Sequence, residues 1–157
     1  MNLFVESHQK LLIQLTKAEV DFIIIGGYSV IFHGYARTTG DIDIWLKPDN
    51  ANKARLLQAL RSCGIEEDSL EELNEIDFAQ TVFFKIGEVP ERIDFLTKIN
   101  LVDYETANKE KVLANLGKIT IPFLHLNHLI LSKLNTGRPQ DQADIEMLQK
   151  IQKNKKS

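Results

Sequence analysis

Two adjacent glycines follow directly on a short apolar segment in the stretch FIIIGGYSVIFHGYARTTGDIDIWL, residues 22–46. The run FIII is rich in β-branched residues and predicts a buried strand. Gly26 and Gly27 end that run, and glycine permits a tight turn in which another backbone or a ligand comes close. Residues 28–34 predict a short helix, whose N-terminus would suit a phosphate. The alternative is a strand-to-helix turn that holds no ligand.

The segment DIDIWL, residues 41–46, alternates strictly and predicts a half-buried strand. Asp41, Asp43 and Trp45 share one face, where side chains two residues apart lie about 6–7 Å from each other. Two unpaired carboxylates at this distance repel, so a cation is expected between them. Mg²⁺ suits this role because it binds carboxylates together with substrate phosphates. The alternative is a solvent-facing strand with ordinary surface charges.

The rest of the chain predicts further helices and strands. Helices are predicted at 3–17, from the turn at 48–50 to near Gly64, and at 103–114, 124–134 and 141–151, and strands at 78–86, 91–96 and 118–121. The strands at 78–86 and 91–96 are expected to form an antiparallel hairpin, and the acidic residues 66–75 a loop.

This order predicts an α+β fold of mixed α/β type, a small mixed β-sheet covered by helices with a helical C-terminal part. A single domain is expected over residues 1–152, followed by a disordered tail at 153–157.

Composition excludes several classes of protein. The net charge of -3 gives no case for non-specific nucleic-acid binding. The single cysteine, Cys63, excludes an internal disulfide and a cysteine-built zinc site, and fits a reducing compartment. The first residues lack the features of a signal peptide, and no apolar stretch reaches the roughly 18 residues that span a bilayer. We therefore expect a cytoplasmic protein without a membrane partner.

The segment GGYSVIFHGYARTTGDIDIWL resembles the signature of the DNA polymerase β-like nucleotidyltransferase superfamily, in which a glycine pair and a short helix precede an acidic-x-acidic strand. With Arg37, Thr39, Asp41 and Asp43 it is similar to the small bacterial members akin to abortive-infection and toxin–antitoxin nucleotidyltransferases. The resemblance implies the nucleotidyltransferase fold. It also implies transfer of an NMP from an NTP such as ATP to a hydroxyl of tRNA or other RNA, a protein or a small molecule, with release of pyrophosphate.

The resemblance further implies a third carboxylate, and Asp94 in ERIDFL is its match. The alternative for Asp94 is a salt bridge to Arg92 or Lys85. With Asp41 and Asp43, Asp94 would hold two Mg²⁺ ions, for which Mn²⁺ could substitute. Asp94 would also help to deprotonate the acceptor hydroxyl.

Phosphate contacts are implied in two separate parts of the chain. Gly26, Gly27 and Ser29 would hold the β- and γ-phosphates. Lys133, in LSKLNTGRPQDQADIEML, is a candidate contact for the triphosphate, and a solvated lysine is the alternative.

Other polar residues have two possible roles each. Arg37 is expected to neutralise phosphate or to pair with an aspartate, and Thr39 to bond backbone or phosphate. By resemblance, Arg138 and Asp141 would fix their loop, and Asp144 would pair with a basic group.

Two other functions are compatible with the same residues. One is a non-catalytic or regulatory nucleotide-binding half of a toxin–antitoxin-type pair, with a partner protein encoded nearby. The other is a metal-dependent phosphohydrolase, which ranks lower because a glycine pair suits a triphosphate better than water activation. The presence of all three aspartates favours the transferase.

Overall fold

A computed structural model of the protein describes residues 3–156, the side chain of Lys156 excepted. Within this range the chain forms seven helices and six strands. In chain order they are α1 (Glu6–Lys17), β1 (Phe22–Ile25), α2 (Gly26–Phe32), β2 (Asp41–Leu46), α3 (Asn50–Ser62), α4 (Glu67–Asn74), β3 (Phe83–Ile86), β4 (Arg92–Leu96), α5 (Tyr104–Glu110), β5 (Val112–Leu116), β6 (Ile119–Phe123), α6 (Leu126–Ser132) and α7 (Pro139–Lys156).

The strands form one mixed sheet in the order β3-β4-β2-β1-β6-β5. β1 is antiparallel to β2 and parallel to β6, and β4 is parallel to β2. The outer strands β3 and β5 are antiparallel to β4 and β6. The register of the central strands sets Asp43 opposite Ile25 on one side and opposite Asp94 on the other. The predicted mixed sheet covered by helices is confirmed.

The two faces of the sheet carry separate apolar cores, because side chains alternate along each strand. Ile24 and Ile44 belong to the first core, which includes buried leucines of α1, α3 and α4. Ile23 and Trp45 belong to the second, with buried residues of α5, α6 and α7. Asp41 and Asp43 alternate with Ile42 and Ile44, so they project on the same side as Trp45. The polar residues of β2 therefore lie on the face covered by the C-terminal helices.

Two helices begin at aspartate residues that cap them. Asp49 accepts a hydrogen bond from the amide of Asn52 at 2.7 Å and caps α3. Asp103 accepts one from the amide of Thr106 at 2.9 Å and caps α5, which confirms the start predicted there. In the described range of 3–156, no helix is long and apolar enough to cross a bilayer.

Several elements differ from the predictions. Residues 67–74 form α4 instead of a loop, because Leu70 and Leu73 lie one turn apart and bury against the first core. The helix predicted to reach 114 ends at Glu110, since the following residues pair with β6 as β5. The strand predicted from 78 begins at Phe83.

The C-terminal helix is longer than predicted. α7 runs to Lys156, although a disordered tail was expected from 153. The prediction for Ser157 lies outside the described residues.

Candidate active site

Three carboxylates from two neighbouring strands meet on the face below the C-terminal helices. Asp41 and Asp43 lie on β2, and Asp94 lies directly opposite Asp43 on β4. One oxygen of each carboxylate lies within 4.8 Å of the others, close enough for a shared metal ion. Hard oxygen donors of this kind are the ligands that Mg²⁺ takes in proteins. Strand register, and not a flexible loop, thus sets the spacing between Asp43 and Asp94.

The carboxylates carry more negative charge than their surroundings offset. Burial, followed by the charges of Asp41 and Asp94, raises the pKa of Asp43 to about 7. Burial and the charge of Asp41 also raise the pKa of Asp94. A raised carboxylate pKa means that the ionised form lacks compensation, and a divalent cation would supply it. The residues present therefore fit a metal ion.

An arginine beside the cluster supplies part of the missing positive charge. The Arg92 guanidinium contacts Asp41 Oδ2, and its Nε lies 3.2 Å from Asp94 Oδ1. The salt bridge between Asp94 and Arg92 that the sequence suggested is therefore present. Asp94 both pairs with Arg92 and joins the three-carboxylate cluster, so the two interpretations of this residue are compatible.

The glycine pair allows the acidic strand to pack against the start of α2. Gly26 has a φ of +67°, and a Cβ added there would lie 1.9 Å from Asp43 Oδ2. A Cβ added to Gly27 would lie 2.5 Å from Thr39 Oγ1. Thr39 Oγ1 in turn donates to the carbonyl of Asp41 at 3.2 Å. Both glycines are therefore required by neighbouring side chains of the same site.

A buried ion-pair network closes one side of the site. Arg37 Nη2 donates to Asp144 Oδ2 at 3.0 Å, so the aspartate-pairing role expected for Arg37 is observed. Lys133 is 8% exposed, and its Nζ lies 3.0 Å from Asp144 Oδ2 and 3.1 Å from Asp141 Oδ1. Arg138 Nε lies 2.8 Å from Asp141 Oδ2. Lys133 is thus a buried, doubly paired lysine rather than a solvated one.

Ser29 stands apart from the other predicted site residues. It is 0% exposed, does not line the cavity, and its hydroxyl has no hydrogen-bond partner among residues 3–156. It lies one turn inside α2, packed within the protein. A phosphate contact through this hydroxyl would require α2 to move.

The other predicted residues surround one cavity of about 510 Å³. They are Gly26, Gly27, Arg37, Thr39, Asp41, Asp43, Asp94 and Lys133. The sequence did not indicate several further lining residues, among them Phe83, Lys98, Asn100, Ser132 and Thr136. Phe83 is 60% exposed. It lies two residues before Lys85, on the exposed face of β3, and this spacing is the sequence signal that could have indicated its exposure.

The chain was compared with known protein families and with curated proteins. Residues 2–153 match a family described as nucleotidyltransferase of unknown function (DUF6036). None of the curated protein sequences matches the chain.

Solved structures provide two further similarities. The lincosamide antibiotic adenylyltransferase LnuA, crystallised with lincomycin, shares 18% identity with a TM-score of 0.53, over 96% of this chain and 99% of that one. An antigenic nucleotidyltransferase-like protein from Paracoccidioides brasiliensis shares 14% identity with a TM-score of 0.48, over 92% and 74%. The first similarity shows a shared fold. Because the family match spans nearly the whole chain, the protein belongs to the nucleotidyltransferase family DUF6036.

Proposed function

We propose that the protein is a Mg²⁺-dependent nucleotidyltransferase that moves an NMP from an NTP to an acceptor hydroxyl. The observation that carries this proposal is the convergence of Asp41, Asp43 and Asp94 beside the glycine-built turn at Gly26 and Gly27. The family match supports the reaction class. The shared cavity of about 510 Å³ lies in the size range of small-molecule sites.

Asp41, Asp43 and Asp94 would hold the metal ions. When bound, Mg²⁺ lowers the pKa of a hydroxyl and offsets charge on the transferring phosphoryl group. The raised pKa of Asp43 supports this assignment, because the free carboxylates repel each other and gain from a cation.

The remaining steps belong to the residues of the chain. The acceptor oxygen forms a bond to the α-phosphorus, the bond from that phosphorus to the pyrophosphate oxygen breaks, and the hydroxyl proton passes to Asp94. Lys133 and the backbone amides at Gly26 and Gly27 would hold the outgoing phosphates. Lys133 retains its contacts with Asp141 and Asp144, which would fix the direction of its ammonium group.

The exposed ring of Phe83 is available to the nucleotide. It lines the same cavity as the three aspartates, and its side chain is 60% exposed. An aromatic ring in this place would stack on a base, an interaction worth about 1–3 kcal/mol in single-stranded nucleic-acid sites.

The direct test measures pyrophosphate release from each of the four NTPs with Mg²⁺. The acceptor arms are bulk tRNA, a mixture of proteins, and lincomycin, which is included because LnuA was crystallised with it. We expect pyrophosphate with at least one acceptor, and its loss in Asp43→Asn.

Other products would identify the alternatives. Release of inorganic phosphate would favour a phosphohydrolase. NTP binding without turnover under every condition would favour the regulatory half of a pair, for which a partner encoded nearby would then be sought.

A further inference from the structure

A second cavity adjoins the first on the same face of the sheet. It has a volume of about 590 Å³, and Lys98 and Ile99 line both cavities. Trp45 lies in its wall, two residues beyond Asp43 on the same face of β2. Side chains in that relation lie about 6–7 Å apart. A molecule of modest size seated beside Trp45 can therefore extend a group to the three carboxylates.

Two buried aromatic side chains form part of the wall of this cavity. Trp45 is 1% exposed and Tyr104 is 5% exposed, and both line the second cavity. Within the described part of the chain, Trp45 Nε1 and the Tyr104 hydroxyl make no hydrogen bond. Their rings pack edge to face at 5.2 Å, which fixes both groups. Both polar atoms are themselves enclosed, so these two rings offer the cavity an apolar surface of fixed shape.

The rim of the cavity contains a strained apolar residue. Leu101 has a φ of +62° and is 65% exposed, and it lines the second cavity. The left-handed conformation costs a non-glycine residue about 1–2 kcal/mol. The strain and the exposure of this side chain are both explained if it covers an apolar ligand.

We propose that the second cavity binds the acceptor, and that the acceptor is a small hydroxylated molecule with an apolar framework. The acceptor role rests on the transferase function proposed above. In the described part of the chain, Lys98 and Asp103 are the charged residues of this wall, so it carries no net charge. A single-stranded RNA would require a positively charged groove. The remaining wall is largely aromatic and aliphatic, which suits a small molecule.

The binding test uses the intrinsic fluorescence of Trp45, which is the single tryptophan of the chain. The probes are phenyl β-D-glucoside, which joins an apolar ring to hydroxyls, D-glucose, which lacks that ring, and a decauridylate RNA. No nucleotide or metal is added, so the result does not depend on catalysis. We expect phenyl glucoside to change the emission saturably, with a Kd below about 10 mM, and the other two probes to have no effect.

Substitutions locate the binding. Leu101→Asp introduces a charge at the rim of the cavity and should raise the Kd for phenyl glucoside about tenfold or more. Leu113→Asp is the matched control, because Leu113 is 60% exposed on β5 and lines neither cavity.

The outcomes separate this proposal from the proposed function. Absence of a saturable change, an equal response to glucose or RNA, or no effect of Leu101→Asp would each overturn the small-molecule cavity. With ATP and Mg²⁺ added, phenyl glucoside should stimulate pyrophosphate release, and Leu101→Asp should remove that stimulation. Probe binding without pyrophosphate release from any acceptor would overturn the acceptor role together with the transferase function. The binding site itself would stand.

Discussion

The carboxylate of Asp43 occupies the space that any side chain on Gly26 would need. A Cβ at Gly26 would lie 1.9 Å from Asp43 Oδ2 and 2.8 Å from its Cγ, and the φ of +67° independently favours glycine. The turn after β1 and the acidic strand β2 are therefore one structural unit. The observed position of Asp43 requires a glycine at residue 26 whether or not a phosphate binds there.

Gly26→Ala should lower metal affinity by displacing Asp43, and should destabilise the protein more than strain alone does. Gly117→Ala is the matched control, because Gly117 has a φ of +78° and an added Cβ would meet no atom of residues 3–156 within 4 Å. We expect Gly117→Ala to cost about 1–2 kcal/mol and Gly26→Ala clearly more. Urea unfolding and Mn²⁺ titration of both variants measure the difference. Equal costs with unchanged Mn²⁺ affinity would contradict the steric argument.

The ion-free protein should lose stability as the pH rises towards 8. The pKa of Asp43 is raised from 3.8 to about 7, so the folded state binds this proton more tightly than the unfolded state. The resulting stability is complete below pH 3.8 and disappears as the pH passes 7. Asp43→Asn should therefore raise the free energy of unfolding at pH 8, on the order of 2 kcal/mol, and much less at pH 5.

Mg²⁺ should reverse this trend. Metal ligands must be deprotonated, so stabilisation by Mg²⁺ is expected to be larger at pH 8 than at pH 5 in the natural protein and to fall sharply in Asp43→Asn. Glu146→Gln, an exposed change on α7, serves as the control and should leave both profiles unaltered. Thermal unfolding across pH, with and without Mg²⁺, makes the measurement. A flat profile for the ion-free protein would refute the assignment to Asp43.

Arg92→Gln should tighten metal binding while weakening the ion-free fold. The Arg92 guanidinium contacts Asp41 and Asp94, so a metal ion has to compete with it. We expect Mn²⁺ affinity measured without nucleotide to rise about three- to tenfold. Arg61→Gln is the control, since Arg61 pairs with Glu67 at 3.2 Å on the surface. Weaker Mn²⁺ binding in Arg92→Gln would show instead that Arg92 orients the carboxylates.

Asp144→Ala should be among the most damaging substitutions outside the apolar cores. Asp144 is 0% exposed and pairs with both Arg37 and Lys133 at 3.0 Å. Removing one member of a buried ion pair costs about 3–5 kcal/mol, because the partner charge stays buried. Lys10→Ala removes the exposed pair with Glu6, at 3.7 Å, and should cost less than about 1 kcal/mol. Denaturant unfolding compares the two, and similar costs would count against the buried network.

Local patterns predicted the central part of the site. The apolar run before Gly26 and the strict alternation from Asp41 to Leu46 both specify strands, and together they set the two aspartates on the face they occupy. Asp94 could be assigned through resemblance, but its position opposite Asp43 depends on the pairing of β4 with β2. No local signal encodes that register.

Contacts between distant segments explain what sequence patterns missed. The helix α4 looked like an acidic loop because its charges outnumber Leu70 and Leu73, which find their partners in the first core. The burial of Ser29 and the double pairing of Lys133 likewise depend on packing between elements. Single residues such as these carry no periodicity from which their surroundings could be inferred.

The division between sheet and loops has an evolutionary consequence. The three aspartates stand on paired strands, whereas much of the second cavity's wall comes from the segment 97–104 after β4. Backbone pairing holds the three carboxylates at a constant spacing while that segment can vary in length and sequence. For the transferase proposed above, changes in a few residues of this segment would thereby alter the acceptor without altering the carboxylate cluster.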